Sequence, residues 1–213
     1  MTDMNTIAVL SVGFMAQLFF SARVLVQWIM SERARRVLSP TLFWALSLAG
    51  AYLLCLYGWL RKDFAIVMGQ FISYYVYLWN LKEKGVWGGV PRWIRLILLA
   101  TPVAAMVFVA ENAAEFAADF FHNDGIPAWL IVFGSAGQVL FTLRFVYQFV
   151  CSRRRGESVL PPGFWIISLV GATMIAVYGL LRADPVLIVG QSFGIAAYAR
   201  NLWIGSHSKT YEA

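Results

Sequence analysis

Gln17-Leu-Phe-Phe20-Ser-Ala-Arg23-Val-Leu-Val-Gln27-Trp28 lies in an apolar run with no other charge between Asp3 and Glu32. Read as a helix, Gln17, Phe20, Arg23 and Gln27 step by three, three and four, which predicts a shared face. The stretch returns as Gln138-Val-Leu-Phe141-Thr-Leu-Arg144-Phe-Val-Tyr-Gln148-Phe149. An arginine-bearing polar stripe, placed twice in lipid-like surroundings, is what any account of the fold must explain.

Around these stretches the chain is 60% hydrophobic and 13% charged over 213 residues, which excludes disorder and argues against a soluble domain. Seven apolar runs have the length of a membrane span. They predict helices over residues 6–30, 41–60, 64–81, 93–110, 126–151, 163–181 and 186–204. The net charge of +6 sits in short connecting loops, so it reads as membrane topology and not as a nucleic-acid surface. Arg33, Arg35, Arg36, Lys82, Lys84, Arg92, Arg153, Arg154, Arg155 and Lys209 fall on one side; Arg61, Lys62, Arg182 and the acidic stretch Glu111, Glu115, Asp119 and Asp124 fall on the other. The positive-inside rule then puts the N-terminus outside and the C-terminus in the cytoplasm. Met1-Thr-Asp-Met lacks the basic region of a signal peptide, so the first span is expected to be retained. Cys55 and Cys151 make no disulfide or zinc pattern.

The chain contains an internal repeat. A shift of 121 positions lays residues 17–81 on 138–202 without a gap, with about a third of positions identical. Pro40-x-x-Phe43-Trp44-x-x-Ser47-Leu48-x-Gly50-Ala51 matches Pro161-x-x-Phe164-Trp165-x-x-Ser168-Leu169-x-Gly171-Ala172. Tyr57-Gly58-x-Leu60-Arg61-x-Asp63 matches Tyr178-Gly179-x-Leu181-Arg182-x-Asp184, and Gly69-Gln70, Tyr77 and Asn80-Leu81 match Gly190-Gln191, Tyr198 and Asn201-Leu202. Three spans per repeat is odd, so the fourth span is expected to restore orientation between the copies. The expectation is an all-α membrane protein of seven transmembrane helices: two parallel three-helix bundles, 1–84 and 126–213, joined by a linker helix and outer loop over 85–125. Parallel repeats of this kind are a transporter plan, with the site between the halves.

The duplicated stretches, with Asp184-Pro-Val-Leu-Ile-Val-Gly-Gln191 and Tyr198-x-Arg-Asn-Leu202, closely resemble the lipid A biosynthesis N-terminal domain family. The resemblance covers both repeats; the first departs from the second at Phe64 in place of Pro185 and Trp79 in place of Arg200. The family is similar in its 3+1+3 plan to PQ-loop and SWEET transporters, although the chain has no Pro-Gln dipeptide. It implies a multi-pass protein of the bacterial inner membrane working on envelope lipids, as a flippase for a polyprenyl-phosphate-linked sugar in lipid A or lipopolysaccharide modification. A SWEET-like carrier of a soluble sugar, or a non-transporting subunit presenting lipid to a glycosyltransferase, are the alternatives. No enzyme activity, cofactor or metal is expected; the oligomeric state stays open, and two fused repeats are compatible with a monomer.

Among candidate residues Arg23 and Arg144 come first, because charges inside spans are costly and face a cavity or partner. Arg23 lies about 12 Å from Ser31 at 1.5 Å per residue, and its side chain leans back toward the bilayer centre. A guanidinium fork suits phosphate; a structural helix-to-helix bond is the competing reading. Gln17, Gln27, Gln138 and Gln148 flank the arginines and either join a phosphate site or bond between helices. Gln70, Gln191, Asn80, Asn201, Tyr77 and Tyr198 are candidate sugar or headgroup contacts. Arg61, Asp63, Arg182 and Asp184 form either an outer gate or local ion pairs. Trp44, Trp79, Trp165 and Trp203 read as an interfacial aromatic belt.

Overall fold

A computed structural model describes residues 2–61, 64–110, 113–114, 127–183 and 185–207. Among them are seven α-helices: α1 Thr2–Ala34, α2 Thr41–Arg61, α3 Phe64–Glu83, α4 Arg92–Val109, α5 Ala128–Arg155, α6 Pro162–Leu181 and α7 Pro185–His207, with a 3-10 turn at Val86–Gly89. The described residues contain no strand. Five of these helices (α1, α2, α4, α5 and α6) are long and apolar enough to cross a membrane. Helices α3 and α7, at 20 and 23 residues, have span length too. Polarity is distributed as lipid requires. Leu18, Leu96, Val132 and Leu180 are exposed, whereas Arg23, Gln27, Asn80, Arg144, Gln148 and Asn201 are buried. The chain is an all-helical membrane protein.

Helices α1 and α5 run past their expected ends, so Arg33 and Arg153 to Arg155 occupy last turns instead of loops. Cations there complement the negative end of the helix dipole. Each helix then stops at a left-handed residue, Arg35 (φ 51°) or Gly156 (φ 69°), which are equivalent positions of the repeat. The N–H of the following residue reaches back five positions, Arg36 to the Ser31 carbonyl and Glu157 to the Ser152 carbonyl, the pattern of a Schellman cap.

The chain forms two compact units, Met1–Arg23 with Thr41–Asn123, and Val24–Pro40 with Asp124–Ala213. In the first, α1 meets α2 at Gly50, where an added Cβ would stand 2.9 Å from the Phe20 ring and 3.2 Å from the Ala16 carbonyl oxygen. Helix α2 packs on α3, and α4 packs on both. Pro102 explains how α4 is held. It is buried within the helix and has no N–H, so the Leu98 carbonyl four residues earlier loses its helical donor. The Tyr74 hydroxyl donates to that carbonyl at 2.8 Å, and Tyr75 donates to the Leu99 carbonyl at 3.0 Å. Val67 of α3 closes an apolar cluster with Ala105 and Val109.

In the second unit α6 packs on α5 and α7. A Cβ at Gly171 would lie 3.1 Å from both the Gly137 carbonyl oxygen and the Phe141 nitrogen, so backbones approach where only glycine fits. The interhelical loops are clamped alike. Ser31 accepts from the Leu38 N–H and Ser152 from the Val159 N–H, both at 3.0 Å. Gln27 donates to the Leu38 carbonyl at 3.3 Å and Gln148 to the Val159 carbonyl at 2.9 Å. Irregular backbone in apolar surroundings thereby finds its partners.

Candidate functional site

Each repeat builds a closed box around its arginine. In the first unit Arg23, only 7% exposed, donates through Nη1 to Ser47 Oγ of α2 and to the Tyr77 hydroxyl of α3, both at 3.0 Å. Ser47 itself donates to the Phe43 carbonyl, which turns its lone pairs toward the guanidinium. The rings of Phe20, Phe43 and Tyr77 surround the cation at 4.6 to 5.7 Å. In the second unit Arg144, 2% exposed, donates to the Tyr198 hydroxyl at 3.3 Å and lies among the rings of Phe141, Phe145, Phe164 and Tyr198. Aromatic faces stabilise a desolvated guanidinium by about 2 kcal/mol each at best, and the hydroxyls add neutral-acceptor hydrogen bonds.

Trp44 and Trp165 complete the boxes. Both are buried, with their rings 6.0 Å from those of Tyr77 and Tyr198. The expected interfacial belt is therefore wrong for these two. Their position near span ends is outweighed by the packing demand of the arginine boxes. Trp203 is exposed and stacks on His207, and Trp79 is half-buried.

Gln27 and Asn201 form a second polar centre within the second unit. Gln27 Nε2 donates to Asn201 Oδ1 at 2.8 Å, and Asn201 Nδ2 donates back to Gln27 Oε1 at 3.1 Å. Both residues are fully buried. Asn201 and Asn80 each also donate to the carbonyl four residues earlier, Ala197 and Val76. Gln148 donates to Ser152 at 2.8 Å, as Gln27 does to Ser31 at 2.9 Å.

The other expected members are placed apart. Gln17 and Gln138 are exposed, and the single face expected for Gln17, Arg23 and Gln27 does not form. Two successive steps of three lose about 60° each at 100° per residue, so Gln17 points about 120° away from Arg23. The same holds for Gln138 and Arg144. Gln70 and Gln191 are half-buried, and a Cβ at Gly69 would meet nothing within 4 Å. Arg182 is exposed; Asp63, Asp184 and the Arg61 side chain lie outside the described residues, as do Glu111, Glu115 and Asp119. Sequence reasoning missed Ser47, Phe43 and Phe164 as box members, although all three stand at matched positions of the repeat.

Residues 12–82 and 133–203 each match the family described as Lipid A Biosynthesis N-terminal domain. The chain is 30% identical over 89% of its length to a lipid-A-disaccharide synthase of Chlamydia pneumoniae, 28% over 91% to that of Chlamydia felis, and 26% over 91% to that of Chlamydia trachomatis serovar D. It spans about a third of the length of these curated relatives, 32% or 33%. No solved structure matches. With the duplicated arginine box falling inside both matched segments, the chain belongs to the lipid A biosynthesis N-terminal domain family.

Proposed function

We propose that the chain acts in lipid A or lipopolysaccharide biosynthesis as a membrane carrier, a flippase for a lipid-linked sugar phosphate, and has no catalytic activity of its own. Family membership and the synthase name of its relatives support the lipid class. The observation that carries the reading is the pair of buried arginines bonded to neutral hydroxyls. A guanidinium–hydroxyl bond is already charge-assisted, about 1.5–3 kcal/mol, and a phosphate adds a second charge and a bidentate fork. A phosphate reaching Arg23 or Arg144 would displace Ser47, Tyr77 or Tyr198 at a gain. The amides of Gln27, Gln148, Asn80 and Asn201 are engaged with serine, backbone and amide acceptors, and would meet phosphate or sugar hydroxyls by exchanging those bonds. The protein would lie in the inner membrane with its N-terminus periplasmic and its basic loops cytoplasmic, where they attract anionic headgroups.

A second reading, a module that presents lipid to a glycosyltransferase, is favoured by the share of the relatives that this chain spans. Reconstituted protein and a fluorescent polyprenyl-phosphate sugar separate the two. Transfer between leaflets supports the carrier, and binding without transfer supports presentation. Arg23→Gln with Arg144→Gln should abolish binding, and Tyr77→Phe with Tyr198→Phe, which removes the competing hydroxyls, should tighten it. Unchanged binding by both double variants, with thermal melts showing them folded, would remove the arginines from the mechanism.

A further inference from the structure

The second unit carries a groove of about 490 Å³, lined by Leu25, Trp28, Ile29, Glu32, Arg33 and Arg200. The first five are spaced i, i+3, i+4, i+7 and i+8, so they form a single stripe along α1. The stripe is graded: Leu25, Trp28 and Ile29 are apolar, and the last turn is charged. Arg200 reaches in from α7, forked onto Glu32 through Nε (2.9 Å) and Nη2, with its guanidinium 4.1 Å over the Trp203 ring. Two guanidiniums against one carboxylate leave the rim with a net charge of +1. The fork uses two of the five guanidinium N–H groups and leaves three that can donate elsewhere.

We infer that this groove is a binding site for an anionic membrane lipid, its phosphate on Arg33 and Arg200 and an acyl chain along Leu25, Trp28 and Ile29. The apolar part runs about 6 Å along the helix and the charged turn follows directly, which is the order of polarity in a lipid crossing from tail to head. Glu32 and Arg200 are substantially exposed, with side chains 44% and 37% accessible, so their pair is weak and a phosphate can compete with it. The site is built once. Arg200 corresponds to Trp79 in the first repeat, and Glu32 corresponds to Arg153 in the second, so duplication alone does not produce it. It is independent of the arginine boxes and of the function proposed for them.

The test is lipid titration of the full chain in detergent, read by native mass spectrometry. The probes are phosphatidylglycerol, phosphatidylcholine and inorganic phosphate. Phosphatidylglycerol should bind in preference to both others. Arg200→Gln and Arg33→Gln should each weaken it about threefold, and Glu32→Gln should strengthen it by a similar factor. The opposite signs distinguish a headgroup site from a merely structural ion pair, whose two halves would respond alike. Equal affinity for phosphatidylcholine, or loss of affinity in Glu32→Gln, would overturn the inference. Inorganic phosphate binding as well as the lipid would do the same, marking a free-anion site. All three side chains lie at the surface, and thermal melts would confirm that the variants fold.

Discussion

Removing the Tyr74 hydroxyl tests how α4 is held to the first unit. Pro102 leaves the Leu98 carbonyl without its helical donor, and Tyr74, fully buried, supplies one at 2.8 Å. Tyr74→Phe keeps the ring and its packing and deletes only that donor. An unmade buried bond costs about 1–3 kcal/mol in water-soluble proteins. In membranes the measured coupling is smaller, about 0.6 kcal/mol on average and up to about 1.7, because the unfolded chain finds other partners. The overlap of the two ranges places the expected loss at about 1–2 kcal/mol. In a Pro102→Ala background the restored Ala N–H takes over the Leu98 carbonyl. The same Tyr74→Phe change should then cost under about 0.5 kcal/mol. Reversible unfolding of the four proteins in mixed micelles, followed by circular dichroism, gives the cycle. Equal costs of Tyr74→Phe in both backgrounds would refute the argument that the hydroxyl substitutes for the missing proline N–H.

Gln27→Leu and Asn201→Leu should show a coupling of about 1–2 kcal/mol in the same assay, since each exchanges two bonds with the other; additive effects would remove the pair as a fixed point of the second unit. Arg35→Gly should raise stability by about 0.5–1 kcal/mol by relieving a left-handed non-glycine residue, and Gly156→Ala should lower it by about 1 kcal/mol, both read as unfolding midpoints. Gly171→Ala should cost about 1–3 kcal/mol, because the Cβ presses on backbone atoms of α5 that cannot rotate away, and an unshifted melt would contradict that contact.

The helices were legible from the apolar runs, and their boundaries differ mainly where a helix continues into its basic turn. Hydropathy marks where lipid ends, whereas the backbone stops only at its left-handed cap, as at Arg35 and Gly156. The repeat made Arg23 and Arg144 stand out, and both are buried as polar residues in spans should be. Counting steps of three and four overstated the shared face, because the angular error accumulates from Gln17 to Arg23. The Glu32–Arg200 pair was not legible at all. Its members are 168 positions apart, so no local spacing brings them together. Trp44 and Trp165 misled because a tryptophan near a span end has the same sequence signature whether it faces headgroups or an arginine box.

Helix α1 is continuous from Thr2 to Ala34, yet residues through Arg23 fold with the first unit and those from Val24 with the second. Gene duplication copies contiguous sequence, so what was inherited as a module is not what folds as one. A protein cut within 85–125 would yield a C-terminal fragment deprived of Gln27 and Glu32, the residues that Asn201 and Arg200 bind. Such a fragment would need its other half as a chaperone in trans, and the tandem fusion makes that help permanent.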